Sequence, residues 1–529
     1  MPRLFGTDGV RGRAGAYPLD HETVARLGGA LVRAMIGHRP AGATLDTPLR
    51  FVVGRDTRES GDWIARELAR GVRSQGAEMT SAGVIPTPAI AYVTKALGFD
   101  AGLVISASHN PFEDNGIKVF SGRGEKFTEA VEREVEAIIA DTSWSVGGSA
   151  DEPVAQTEVA DAYLAHARLV FPEPARLGPF KLAIDTANGA TTTVAPRLFR
   201  ELGYDIEVIG ASPNGRNINL DCGSTHPELL SATVRRPGCR MGVAFDGDGD
   251  RAIFVDADGR IVDGDAVLLL CSLHMKAQRR LTGDAIVATV MSNIGLEIAL
   301  RDSGIGMVRC SVGDKYVMEE MMNRGLSLGG EQSGHIIFAD HLFTGDGIVT
   351  ALNVLRVMAD TGRELGDLAS QLVAYPQVLV NVRVRQRKDL STVPAIADAM
   401  RQVEAQLAGA GRLLVRYSGT EPLLRIMLEG KDQAEIQAWA ADIADVVNRG
   451  AGPGTGMIFT TEAQNPQRIS GSGIRRFSTR KILRGPLCLC GEFDTRCRRR
   501  PPAGPLLGDR TAPSHHAGGE GPGRDPGLG

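Results

Sequence analysis

The chain is short of several things, and each shortage narrows what it can be. Aromatic residues make up only 5% of its 529 residues, and no apolar run approaches the length of a membrane-spanning helix, which needs about 18 residues. Met1-Pro2-Arg3-Leu4-Phe5-Gly6-Thr7-Asp8 holds no apolar h-region, so no secretory leader is expected and the cytoplasm is the expected location. Excess charge of one sign is also missing. With 59 basic and 63 acidic residues the net charge is −4, without the basic surplus that nucleic-acid binding leaves in a sequence. Seven cysteines, at 222, 239, 271, 310, 488, 490 and 497, form no CxxC…CxxC framework, so structural zinc is not expected. Neither a Walker-A sequence nor a G-x-G-x-x-G fingerprint occurs, which argues against a nucleotide site. Lysine is scarce at 9 of the 59 basic residues, so a lysine inside a motif carries some information.

What remains is the composition of a soluble globular protein, 43% hydrophobic and 23% charged, with a length that suggests about three to five domains. Composition changes after Gly450. Residues 451–529 hold 15 glycines, 9 prolines and 12 basic against 6 acidic residues, the make-up of a disordered tail. Before that point strand and helix patterns alternate. Val24, Leu27, Leu31 and Met35 recur at helical spacing, followed by the strand-like Arg50–Gly54. Ile64, Leu68 and Val72 mark a second helix, Ala101–Ser106 a second strand, and Val131, Val135 and Ile138 a helix that Thr128 could cap. The alternation resumes at Leu182–Asp185 and Ala285–Ala288, which predicts α/β domains with buried sheets. The last stretch differs. Val378, Val380, Val382 and Val384 alternate with period two, a helix carries Ile396, Met400, Val403 and Leu407, and a final helix carries Ile436, Trp439, Ala440, Ile443 and Val447, together a small α+β domain. The expected division is 1–155, 156–256, 257–370, 371–450 and the tail 451–529.

Four glycine-bearing segments carry chemistry. Ile105-Ser106-Ala107-Ser108-His109-Asn110-Pro111, with Asn115-Gly116-Ile117-Lys118 behind it, places hydroxyls at a strand end, where α/β proteins put their reactive groups. A Ser-His hydrolase is disfavoured there, because adjacent Ser108 and His109 are not expected to face each other. Asp246-Gly247-Asp248-Gly249-Asp250-Arg251 spaces three carboxylates with flexible residues, which suits a hard divalent cation. It fails as an EF-hand, since Arg251 and Ala257 replace the required Gly and Glu. Gly329-Gly330-Glu331-Gln332-Ser333-Gly334-His335 offers hydrogen-bonding groups suited to sugar hydroxyls. Arg416-Tyr417-Ser418-Gly419-Thr420-Glu421-Pro422 lies between two strand patterns and has the make-up of an anion nest. The set describes phosphoryl transfer on a phosphosugar.

In that order, and with Phe5-Gly6-Thr7-Asp8-Gly9-Val10-Arg11-Gly12 at the start, the motifs resemble the α-D-phosphohexomutase superfamily over residues 3 to about 450. Asn217-Ile218-Asn219, Cys222-Gly223-Ser224-Thr225-His226-Pro227-Glu228 and Gln332 resemble its glucosamine branch, with the mannose/glucose branch as the alternative. The resemblance implies three related α/β domains and a smaller α+β C-terminal domain around one cleft. It implies an isomerase that interconverts glucosamine 6-phosphate and glucosamine 1-phosphate for UDP-N-acetylglucosamine and cell-envelope precursors. The route is a phosphoserine and a 1,6-bisphosphate. By the same resemblance Ser108 carries the phosphoryl group, and Asp246, Asp248 and Asp250 hold one Mg²⁺ per subunit together with the Ser108 phosphate. Lys118, Arg11, Arg251 and His335 surround the reacting phosphate, with Lys118 a candidate for proton transfer. Glu331, Ser333 and Lys315 fall in substrate-binding motifs, and Arg416, Ser418, Gly419, Thr420 and Arg425 grip the phosphate that is not reacting. The expected partner is a small phosphosugar, with a homodimer as the implied assembly and neither nucleic acid nor membrane. Tyr417 stands where the family often has Pro.

Overall fold

The computed structural model describes residues 3–6, 8–37, 47–384, 389–418, 423–450 and 457–459. A compact unit spans residues 1–468, and a second unit, 469–529, lies outside the described residues. So do Gly419 and Thr420 of the expected anion nest and most of the expected tail.

Four sheets organise the chain. The first runs in the order Phe5–Gly6, Gly9–Arg13, Asp114–Ser121, Ala101–Ile105, Arg50–Arg55, Glu78–Val84, Ala155–Gln156. Its centre is parallel, Arg50–Arg55 lying between Glu78–Val84 and Ala101–Ile105, and antiparallel pairing begins at Asp114–Ser121. Both faces are covered, as the strand sequences require. Val52, Val104 and Phe120 point into one core, while Phe51, Val53, Leu103, Ile105, Ile117 and Val119 point into another. The second sheet orders Ile261–Val262, Ala252–Asp256, Cys239–Phe245, Lys181–Asp185 and Asp205–Ile209, and the third orders Gly306–Cys310, Ala285–Thr289, Leu328–Gly330 and Ile336–Phe338. One continuous apolar cluster joins one face of the first sheet to the second and third, running from Val52 through Phe245 and Leu268 to Leu368. The three α/β layers therefore share a core. The four cysteines of these layers are buried and free.

The fourth sheet has its own core. Val378, Val380, Val382 and Val384 pack with Ile396, Val403 and Leu407 of the Pro394–Leu407 helix and with Ile436, Ala440, Ile443 and Val447 of the Gln433–Gly450 helix. Trp439 and Met400 are only partly buried at its edge. The sheet does not end where the composition changes. Met457–Phe459, inside the expected tail, pairs antiparallel with Gln377–Arg383. Without it the 377–383 strand would be an open edge, and a short apolar segment satisfies that row of backbone donors and acceptors. Thr128 does stand at the N-cap of the Glu129–Ala140 helix, but its side chain makes no capping hydrogen bond. Among the described residues no helix is long and apolar enough to cross a membrane.

Two histidines sit where the first three layers meet. His166 stacks on Tyr92 with ring centroids 4.1 Å apart, and His341 meets it edge-on at 5.9 Å. Burial, then His166 and Arg356, push the His341 pKa from 6.5 down to about 4, and burial with Lys95 lowers that of His166. Both fold in the neutral form, so the unfolded chain binds more protons in acid. Their contribution is fully present above pH 6.5 and is lost as pH falls toward 4. Thermal melts should show Tm falling through this window, and His341→Gln should flatten the fall. Parallel melting-versus-pH curves for the two proteins would refute the assignment.

Candidate active site

The site is built at strand ends. Ser108 follows the 101–105 strand, and the three aspartates occupy the turn between Cys239–Phe245 and Ala252–Asp256. Glycine makes their approach possible. A Cβ on Gly247 would lie 2.5 Å from the Ser108 carbonyl oxygen, and Gly249 adopts φ +73°. Thr87, from the helix beginning there, donates its backbone N–H to the Asp248 carbonyl at 2.9 Å and its hydroxyl to the Asp248 carboxylate at 2.5 Å, fastening the turn to the first domain.

Ser108 is 1% exposed, and its Oγ donates a hydrogen bond to Asp246 Oδ2. One carboxylate oxygen from each of Asp246, Asp248 and Asp250 lies within 4.8 Å of the other two. Burial pushes the Asp246 carboxyl well above the usual carboxylate range, and Asp250 and Asp248 add to this. Lys118, reaching in from the 114–121 strand, lies 2.8 Å from Asp248, 2.9 Å from Asp250 and 3.1 Å from Asp8. Although burial opposes it, these carboxylates hold Lys118 well above its ordinary pKa. It is therefore an ammonium here, fit to donate a proton; it could accept one only if its carboxylate partners were otherwise neutralised.

The oxygens fit a hard cation. Asp248 Oδ1 and Asp250 Oδ1 are buried without a hydrogen-bond partner, an expensive condition that oxygen coordination to a divalent ion would relieve.

Arg11, on the 9–13 strand, donates to the Ala107 carbonyl at 3.2 Å and to Asp8. Arg251 lies 3.0 Å from His109 Nδ1. Contrary to the sequence expectation, His109 Nδ1 also lies 3.5 Å from Ser108 Oγ, and Ser108 itself adopts φ +52°. No hydrolase pair results. Burial, then Arg251 and Arg11, push the His109 pKa down to about 4, and the serine proton is directed at Asp246. His335 accepts from the Gly345 N–H at 3.0 Å through Nε2, leaving Nδ1–H facing Asp250 at 3.6 Å.

The sugar-suited loop follows the Leu328–Gly330 strand. Glu331 is buried and accepts from the Gly313 N–H at 3.1 Å, Ser333 is exposed, and Gln332 donates to Asp263 at 3.1 Å. Lys315 is not turned to this loop in the structure; its Nζ is 2.8 Å from Glu132 in the 129–140 helix, 5% exposed. On the fourth sheet, Arg416 and Arg425 are directly opposite in the antiparallel pair Arg412–Tyr417 and Leu423–Glu429, and the Ser418 N–H donates to the Leu423 carbonyl at 2.8 Å. Burial and then Arg425 lower the Arg416 pKa. Sequence reasoning missed Asp8, Asp314 and Lys126. Lys126 is ion-paired with Asp8 at 2.5 Å and also with Asp314, joining the first and third domains beside the site. Asp8 could have been suspected from its place in the opening motif.

Models described as phosphoglucomutase/phosphomannomutase alpha/beta/alpha domains I, II and III match residues 2–145, 161–259 and 263–375, and the C-terminal domain model matches 379–446. A phosphoglucosamine mutase of Syntrophotalea carbinolica is 46% identical over 454 residues, covering 85% of this chain and 98% of its own. Another, from Solibacter usitatus, is 48% identical over 459 residues, covering 85% and 99%. The chain belongs to the phosphoglucosamine mutase family. In fold it is similar to a solved phosphoglucomutase/phosphomannomutase family protein of Burkholderia thailandensis, with TM-score 0.70, 25% identity and coverage of 86% of this chain and 99% of that one. Family membership and the acidic cluster together support the use of a metal ion.

Lys118 balances Asp8, Asp248 and Asp250 at once. In chelator-treated protein Lys118→Met should cost about 3–5 kcal/mol, the scale for stripping a buried charge of its partner. Urea unfolding measures it, and an unchanged midpoint would refute the assignment.

Proposed function

We propose that the chain is a phosphoglucosamine mutase, an isomerase that interconverts glucosamine 6-phosphate and glucosamine 1-phosphate through phospho-Ser108 and a 1,6-bisphosphate. The observation that carries this reading is the buried Ser108 hydroxyl donating to the first of three clustered carboxylates. Asp246, Asp248 and Asp250, with an oxygen of the Ser108 phosphate, would hold one Mg²⁺, which when bound draws charge from the transferring phosphoryl group.

The protein's own part is positioning and charge balance, which phosphoryl transfer mainly requires. A sugar hydroxyl attacks phosphorus, the bond from phosphorus to Ser108 Oγ breaks, and Asp246 stands where that oxygen is released. The hydroxyl proton ends on Ser108 Oγ, and Lys118 is placed to carry it there once its carboxylate partners are neutralised and its amine can accept it. Arg11, Arg251 and His335 surround the reacting group, while Glu331 and Ser333 orient the sugar. Lys315, paired with Glu132, contributes by holding the third domain against the first. Arg416, Ser418 and Arg425, with Gly419 and Thr420, take the phosphate that is not reacting. After the bisphosphate turns over, its other phosphate returns to Ser108. Closure that excludes water protects the phosphoserine meanwhile. The resemblance to phosphoglucosamine mutases at 46–48% identity supports the amino sugar over glucose or mannose phosphates, and the cytoplasm is the location that suits this role.

Ser108→Ala should lower turnover at least about 1,000-fold, on the scale for removing a nucleophile, while phosphosugar binding by calorimetry persists. Peptide mapping of the wild type should find phosphate on Ser108. Activity surviving in the variant, or faster turnover of a non-amino sugar phosphate, would overturn the corresponding part of the reading.

A further inference from the structure

Ser108 is a non-glycine residue at φ +52°, a left-handed conformation that is strained for an L side chain and persists only where neighbours impose it. The structure shows what imposes it. The Ser108 carbonyl accepts from Arg58 Nη2 at 3.2 Å and from Asn219 Nδ2 at 2.9 Å. The Asn110 carbonyl accepts from the same two nitrogens, at 2.5 Å and 3.2 Å. Two side chains thus grip the same pair of carbonyls on either side of His109.

They come from different domains. Arg58 follows the Arg50–Arg55 strand and is 0% exposed, with its other terminal nitrogen ion-paired to Asp56. Asp56 accepts from the Ser106 hydroxyl, which in turn accepts from the Ser108 N–H at 2.9 Å. The amide and carbonyl of Ser108 are both committed. Asn219 belongs to the second domain and is itself left-handed at φ +59°, a conformation Asn tolerates, and its N–H is held by the Ala187 carbonyl at 2.9 Å. Asn219 lies in Asn217-Ile218-Asn219, a segment that resembles the glucosamine branch yet has no part in the roles assigned above.

We propose that Arg58 and Asn219 are positioning residues for phosphoryl transfer: they clamp the Ser108 and Asn110 carbonyls and so fix the loop conformation that aims Ser108 Oγ at Asp246. The proposal rests on the reading of Ser108 as the phosphoryl carrier. Neither side chain is placed to touch the sugar, so loss of the clamp acts on the rate of transfer and spares substrate affinity. Because Asn219 comes from the second domain, as the aspartates do, the clamp also ties the serine loop to the domain that carries the carboxylates.

The test uses the full-length enzyme and three variants. Asn219→Gly keeps the left-handed backbone and deletes the donor. Arg58→Lys keeps the buried charge and removes the fork whose Nη2 reaches both carbonyls while Nη1 holds Asp56. Ser108→Ala is the control. For Asn219→Gly and Arg58→Lys, kcat per folded molecule, with folded fraction taken from circular dichroism, should fall about 10- to 100-fold, the scale of a misplaced reacting group. KM for glucosamine 6-phosphate should stay within about twofold. Unimpaired kcat in Asn219→Gly, or a raised KM at unchanged kcat, overturns the proposal while a silent Ser108→Ala leaves the phosphoserine reading standing. An active Ser108→Ala overturns both.

Discussion

Three carboxylates buried side by side next to a serine hydroxyl set the terms for this molecule. Like charges in a poorly solvated site repel strongly, so they persist only where cations or coordination compensate them. Here the compensation is divided among domains: Lys118 comes from the first sheet and Arg251 from the second, while His335 of the third turns a ring N–H toward Asp250. A site assembled from three layers needs those layers held in register, and the apolar cluster running unbroken from Val52 to Leu368 does that. Lys126 between Asp8 and Asp314, and Lys315 against Glu132, add ionic ties across the first and third domains. Two of the nine lysines, Lys118 and Lys126, thus sit where a compact cation meets several carboxylates at once, a task that the planar arginine fork suits less well.

The same constraint explains the glycines of the aspartate turn. Gly249 supplies a positive φ, but Gly247 is needed for space, because the turn and the serine loop meet backbone to backbone. That contact, Thr87 on Asp248 and the double clamp of Arg58 and Asn219 place the Ser108 hydroxyl and the carboxylates with little freedom between them. The strain at Ser108 belongs to a surrounding that over-determines it, as strained residues at reactive centres generally require.

Much of this was legible in the sequence because the signals are local. Alternation in Val378 to Val384 and the spacing of Ile436, Ala440 and Ile443 each record one buried face, and the structure buries those faces. The reactive loops could be found because glycine and polar residues cluster where backbones turn and approach. Long-range pairings left no such mark. Nothing in the spacing of Lys315 points to Glu132, 183 residues away, or brings Asp8 to Lys126. The approach of His109 to Ser108 accompanies a left-handed backbone at Ser108 that composition does not encode. The Met457–Phe459 strand was obscured by its glycine- and proline-rich neighbours, which dominate any compositional window, although three apolar residues suffice to pair an edge.

The separate core of the fourth domain has a physical consequence for the proposed reaction. Arg416 and Arg425, the proposed grip for the phosphate that is not reacting, lie directly opposite each other across a hairpin. Their sheet packs on its own valines and helices and meets the third domain through a few polar contacts, such as Arg412 with the carbonyls of Val290 and Ser292, and Glu429 with the Ile294 N–H. Polar contacts of this kind can be exchanged at lower cost than a shared apolar core can be split. A bisphosphate that must turn end for end needs a rigid reaction centre and a phosphate grip that can release and retake it. Three domains fused through one core and a fourth with its own meet those two needs, and a single continuous core would have met only the first.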